Sequence, residues 1–110
     1  MPKTFSCPVE LTVDVVGGRW RTVILSRLKE GVHRYGELRR LVPGVSEKML
    51  TQRLRELEAD GLVCRRDLGT NPPHVEYELT DEGRSLAPVL QALYDWGVER
   101  AARTGATFTS

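Results

Sequence analysis

The feature that most narrows the fold is a short interruption, Pro43-Gly44-Val45, between two apolar stripes. Proline breaks a helix interior and glycine weakens one. The stripe before it (Tyr35, Leu38, Leu41, Val42) and the stripe after it (Met49, Leu50, Leu54, Leu57) therefore belong to two helices joined by a tight link. The second of these starts at Ser46, a good N-cap, with Glu47 in its positive first turn. It ends at Asp60, where Gly61 supplies a left-handed stop. Two short strand candidates follow at once, Leu62–Leu68 and Val75–Leu79. They flank Gly69-Thr70-Asn71-Pro72-Pro73, a turn-rich segment too long for a two-residue hairpin.

The flanks add three more helices. Pro8 suits the first position of a helix over 8–16, which Gly17-Gly18 closes. Trp20, Val23, Ile24, Arg27 and Leu28 recur at three and four residues, so Arg19–Lys29 reads as a second amphipathic helix ending at Gly31. After the strands, Thr80 caps one long helix reaching about Arg103, with Asp81 and Glu82 at its positive end. The tail from Thr104 to Ser110 is expected to fray. Four helices, a hairpin and a final helix make an α+β, mainly helical chain, and this order is that of a winged helix-turn-helix. At 110 residues it is expected to be a single domain over 1–110, with no room for a second, catalytic one. Its 40% apolar and 28% charged residues suit a soluble globular protein. No stretch nears the ~18 apolar residues of a membrane span, and Met1–Ser6 lacks the apolar core of a signal peptide. The expected location is the cytoplasm, with no membrane partner.

A net charge of +1 argues against nucleic acid until its distribution is read. From Arg34 to Arg66 there are eight cations (Arg34, Arg39, Arg40, Lys48, Arg53, Arg55, Arg65, Arg66) against five acids (Glu37, Glu47, Glu56, Glu58, Asp60), a balance of +3. From Glu76 to Glu99 six acids face one base, Arg84. The total is a cancellation between a basic middle and an acidic carboxy-terminal part.

The helix over about 46–60 carries a distinctive outward face. Opposite Leu50, Leu54 and Leu57 lie Lys48, Thr51, Gln52, Arg55 and the small Ala59. A helix entering a major groove needs Arg or Lys for guanine edges, Gln for adenine and Thr for either base or phosphate. With Ser46, which sits at the end that usually reaches the bases, these are the candidate base contacts. Arg53 falls beside the buried stripe and is expected to lay its stem on the core and pair with an acid. Arg34, Arg39 and Arg40 are candidate phosphate contacts that position without specifying. In the wing, about 62–79, Arg65 and Arg66 point to opposite faces of a strand, so only one can face DNA. Thr70, Asn71 and His74 surround its tip and can reach phosphates or a minor groove.

No Gly-rich phosphate loop, no Ser/His/Asp set and no paired carboxylates stand in the sequence, so the chain is not expected to be an enzyme or to need a cofactor. Two cysteines 57 positions apart, without a C-x-x-C, give no metal spacing, and no metal site is expected. Cys64 alternates within a strand and is expected to be a small core residue. Cys7 precedes Pro8 at a helix N-cap, where free amides and the helix dipole favour negative charge, although Glu10 works against it.

These residues resemble the HxlR-type winged-helix transcriptional regulators of bacteria and archaea. The likeness runs from Cys7-Pro8-Val9-Glu10 to Asp95-Trp96-Gly97. It is carried by Gly17-Gly18-Arg19-Trp20, Arg34-Tyr35-Gly36-Glu37-Leu38, the run from Val45 to Leu57, Asp60-Gly61-Leu62-Val63, Pro73-His74-Val75-Glu76-Tyr77 and Leu79-Thr80. The resemblance implies a homodimer on a pseudo-palindromic, double-stranded operator. The helix from 46 to 60 would read bases, and 69–74 would form the wing tip. It also implies dimerisation through the first and last helices, so Val9, Val13, Leu86, Val89, Leu90, Leu93 and Trp96 are the expected interface. The apolar stripe of the last helix agrees, being larger than a small core consumes. Some relatives use a cysteine at the position of Cys7 to sense oxidants or electrophiles, by an intersubunit disulfide or an adduct, and others keep it without a sensing role. A redox sensor and a quiet capping residue both remain open for Cys7, as does a small-molecule or oxidant effector. The expected function is transcriptional regulation, with repression favoured because the domain has no segment spare for recruiting polymerase. A winged-helix module for protein contacts, without specific DNA binding, is the alternative.

Overall fold

A computed structural model describes residues 2–109; Met1 and Ser110, which end the amino-terminal stretch and the tail, lie outside the described residues. The helices are α1 (Pro8–Val16), α2 (Gly18–Lys29), α3 (Tyr35–Leu41), α4 (Glu47–Ala59), α5 (Asp81–Arg84) and α6 (Ala87–Thr104). The strands are β1 (His33–Arg34), β2 (Val63–Asp67) and β3 (Val75–Leu79).

The local signals act where they were placed. Gly17, at φ 67°, ends α1 by donating its amide to Val13 O at 3.0 Å, and α2 begins at the next residue. Ser46 Oγ accepts the Met49 amide at 3.0 Å and starts α4. The link between α3 and α4 turns through Gly44 at φ 86°, where the ring of Trp20 lies 3.6 Å from the place of a β-carbon.

The core forms where α2, α3 and α4 meet the sheet. Ile24, Leu25, Leu38, Leu50, Leu54 and Leu57 are wholly buried there, with Tyr77 and Leu79 supplied by β3 and Leu90 by α6. The sheet is antiparallel in the order β1-β3-β2, with Val63 opposite Leu79 and Asp67 opposite Val75. Strand β1, unexpected from the sequence, pairs His33 with Tyr77 and Arg34 with Glu76. Two residues are too few to show an alternation, so only the partner strand reveals them.

Three expectations are corrected. The last helix is not continuous: α5 ends at Arg84 and α6 begins at Ala87. Pro88 has no amide to give, and its ring would meet the carbonyl four residues back, so one helix cannot run through it. Cys64 is exposed, not a core residue. Leu62 belongs to the turn, its amide bonded to Leu57 O at 3.0 Å, so Val63 is the first inward residue of the ladder and Cys64 points out opposite Glu78. Finally, Leu90 is only 1% exposed and belongs to the core, not to a free interface, while Leu86 is partly buried against that core.

Candidate nucleic-acid interface

Helix α4 buries one face and offers the other. Lys48, Gln52 and Arg55 are exposed together on it, with the exposed Ser46 at its amino-terminal end. Ser46 has one oxygen lone pair committed to the Met49 amide. Thr51 is half-buried and lies 3.1 Å from the Tyr35 hydroxyl, which itself donates to Glu47 O at 3.1 Å. A phenol has a single proton, so Thr51 donates to Tyr35. This pair seats the first turn of α4 on α3. In the sequence Tyr35 stands in an apolar stripe, and its hydroxyl has no visible partner there.

Around α4 the cations divide by their partners. Arg39 and Arg40 are exposed in the last turn of α3, and Arg39 lies 3.8 Å from Glu47. Exposed pairs of this kind contribute little, so Arg39 stays available. Arg34 is exposed on the strand before α3, and its amide donates to Glu37 at 2.8 Å. That hydrogen bond, followed by the charges of His33, Arg40 and Arg34, holds the Glu37 carboxyl below its ordinary range. Arg53 is half-buried and pairs with Glu56.

In the wing, Arg66 pairs with Glu78 on the outer face of the sheet. Arg65 lies on the opposite face, across from Tyr77, and has no ion pair among the described residues. The tip is shaped by its own polar groups. Gly69 donates to the Asp67 carboxylate at 2.9 Å, and Thr70 Oγ1 donates to Pro72 O at 2.8 Å. Thr70 and Asn71 are exposed there, whereas His74 is half-buried with Nε2 3.0 Å from Glu76.

A second surface is apolar. Helix α1 buries no residue, and Val9, Leu11 and Val13 are exposed along it. On α6, Val89, Leu93, Tyr94, Trp96 and Val98 are exposed, with Leu93 at 50% and Trp96 at 61%. Leu11, Tyr94 and Val98 were not singled out in the sequence, because a helical period does not say which flank of a stripe the core will cover. Cys7 is the N-cap of α1 in extended geometry, exposed, with its thiol making no capping bond. Glu10 turns its carboxylate to Ser6, accepting from both its amide and its hydroxyl. Among the described residues no group of three His, Cys, Asp or Glu could hold a metal, and no helix is long and apolar enough to cross a membrane.

Comparison with known proteins places this geometry in context. The family described as HxlR-like helix-turn-helix matches residues 15–104. YtcD of Bacillus subtilis, an HTH-type transcriptional regulator, is 48% identical over 108 residues, covering 97% of this chain and 86% of its own. Among solved structures, the redox regulator HypR in its oxidized form superposes with a TM-score of 0.80 at 45% identity, covering 84% of this chain and 96% of its own. Diamide-treated YodB from B. subtilis superposes with a TM-score of 0.70 at 35% identity, covering 87% and 96%.

Proposed function

The chain belongs to the HxlR-like helix-turn-helix family of transcriptional regulators, and from that premise we propose that it acts in the cytoplasm as a homodimeric repressor that reads a pseudo-palindromic operator. The observation that carries the reading is the shared exposure of Lys48, Gln52 and Arg55 on a helix whose other face is core. Those three contact base edges, joined by Ser46 and by Thr51 through whatever reach its bond to Tyr35 leaves. Arg34, Arg39 and Arg40 hold phosphates beside the groove. In the wing Arg65, which has no ion pair among the described residues, is the cation turned to DNA, and Thr70, Asn71 and His74 follow the backbone. The exposed apolar residues of α1 and α6 pack against a second copy, Val9 and Val13 with Val89, Leu93 and Trp96. A two-fold axis then sets two reading helices about one DNA turn, ~34 Å, apart. Occupancy of the operator represses.

The test starts from sequences selected out of a random DNA pool. Arg55→Ala or Gln52→Ala should weaken binding to the selected operator by ~1–3 kcal/mol, a factor of ~5–150, while binding to random DNA stays nearly unchanged. Equal losses on both DNAs would move that residue among the phosphate contacts and remove the basis for base reading.

Cys7 is the proposed oxidant sensor of the dimer. Its support is its exposure at the start of α1 and the likeness to HypR and YodB. Oxidation to an intersubunit disulfide would pass two electrons and two protons from two thiols to the oxidant. Under diamide, wild-type protein should leave the operator and Cys7→Ser should stay on it. If both are released alike in a gel-shift titration, Cys7 is a quiet structural residue.

A further inference from the structure

Between α1 and the reading helix α4 stands one arginine that touches both. Arg21 projects from the first turns of α2, and its side chain is only 11% exposed. Its Nη2 donates to Val15 O at 2.8 Å and lies 2.8 Å from Asp60 Oδ2. Its Nη1 is 3.6 Å from Glu56 Oε1. Val15 is in the last turn of α1, where carbonyls lack helical partners. Glu56 and Asp60 sit at the carboxy-terminal end and cap of α4, where the helix dipole disfavours acids. One planar guanidinium thus answers unfavourable groups at two helix ends, a geometry that a point charge such as Lys cannot reproduce.

The surroundings are shaped to admit it. Gly17, the elbow between α1 and α2, holds φ 67°, and a β-carbon there would lie 2.4 Å from Arg21 Nε. That Nε is buried without a partner, so the side chain is placed for what its two terminal nitrogens hold. Arg53 also pairs with Glu56, which leaves Asp60 as the acid that relies on Arg21 among the described contacts.

We propose that Arg21 is a positioning residue for DNA reading, tying the carboxy-terminal end of α4 to the α1–α2 elbow so that the angle of the reading helix depends on α1. The proposal rests on the DNA-binding reading above. Helix α4 is also anchored by the buried Leu50, Leu54 and Leu57, a packing separate from the contacts of Arg21. Loss of the guanidinium therefore lets the helix tilt about that stripe while it stays folded. A tilt moves Lys48, Gln52 and Arg55 off their base edges but leaves phosphate attraction in place, because base contacts depend on direction far more than a screened charge does.

The experiment compares the full chain with Arg21→Met, Arg21→Lys and Asp60→Asn, at a temperature where circular dichroism shows each fully folded. Each is titrated on the selected operator and on a random duplex of equal length at the same salt. The readout is the ratio of the two affinities, which cancels any change in overall charge. Arg21→Met should lower that ratio at least ~10-fold, Asp60→Asn should lower it ~3-fold, and Arg21→Lys should recover part of the loss. If Arg21→Met does not fold, the other two variants decide. A ratio unchanged within about twofold in the folded variants, even with a lower melting temperature, would make Arg21 an ordinary structural residue and overturn the proposal. A wild type with no preference for any selected sequence overturns the DNA reading itself and this proposal with it.

Discussion

Leu93→Asp is expected to reduce the particle seen by light scattering from twice the 12.4 kDa chain mass to one chain mass. Leu93 is half exposed in the single chain and sits among Pro88, Val89, Ala92 and Trp96 on the outer side of α6. In a two-fold interface each substitution occurs twice on facing surfaces. Burying a carboxylate there without a partner costs ~2 kcal/mol or more per copy, so ~4 kcal/mol per dimer and about three orders of magnitude in its dissociation constant. The chain's own stability should hardly change, because Leu90, and not Leu93, is the α6 residue wholly within the core. Operator affinity should fall in parallel by ~10²-fold or more, since a monomer loses the second reading head and the effective concentration that linkage supplies. A mass still twice the chain's would refute the assignment of this face.

Gly83→Ala is expected to lower the melting temperature by ~10–20 °C, the consequence of ~3 kcal/mol at the upper end of overpacking costs. The added methyl would stand 2.2 Å from Leu62 O and 3.2 Å from Leu79 Cβ. Leu62 O cannot simply yield, because it already accepts the Thr80 amide at 3.0 Å. Thr80 Oγ1 in turn donates to Gly61 O at 2.6 Å and accepts the Gly83 amide at 3.1 Å. Helix propensity alone would favour Ala by up to ~1 kcal/mol, so the two effects oppose and the close contact decides the sign. The strain falls where α4 enters the wing, so thermal unfolding followed by circular dichroism is a direct check. A fall of less than about 3 °C would mean that the Leu62–Gly83 approach is not tight.

These two cases mark what can be read along the chain and what cannot. The bounds of α1, α2 and α4 follow from Pro8, Gly17, Ser46 and Gly61, which act on neighbouring backbone. The outward set Lys48, Thr51, Gln52, Arg55 and Ala59 follows from a period of 3.6 residues; the structure exposes all but Thr51, which Tyr35 half-buries. The break before Pro88 has an equally local cause, but the apolar recurrence from Leu86 to Trp96 runs through that proline and masks it. Cys64 failed for a different reason. Leu62, the expected first residue of the strand, is held in the turn beneath α4, so the ladder begins at Val63. With a period of two, one residue of offset reverses every side chain.

The sequence by itself determined α1 to α4, the hairpin, the polar face of α4 and the partition of charge into a basic middle and an acidic end, because each depends on residues a few positions apart. Only the tertiary structure decided that Leu90 is core and Leu93 is free, that Arg66 is engaged by Glu78 while Arg65 is not, and that Arg21 joins Val15 to Asp60. Those outcomes depend on groups far apart in the chain. Their distances are set by how the apolar faces pack, and no local period carries that information.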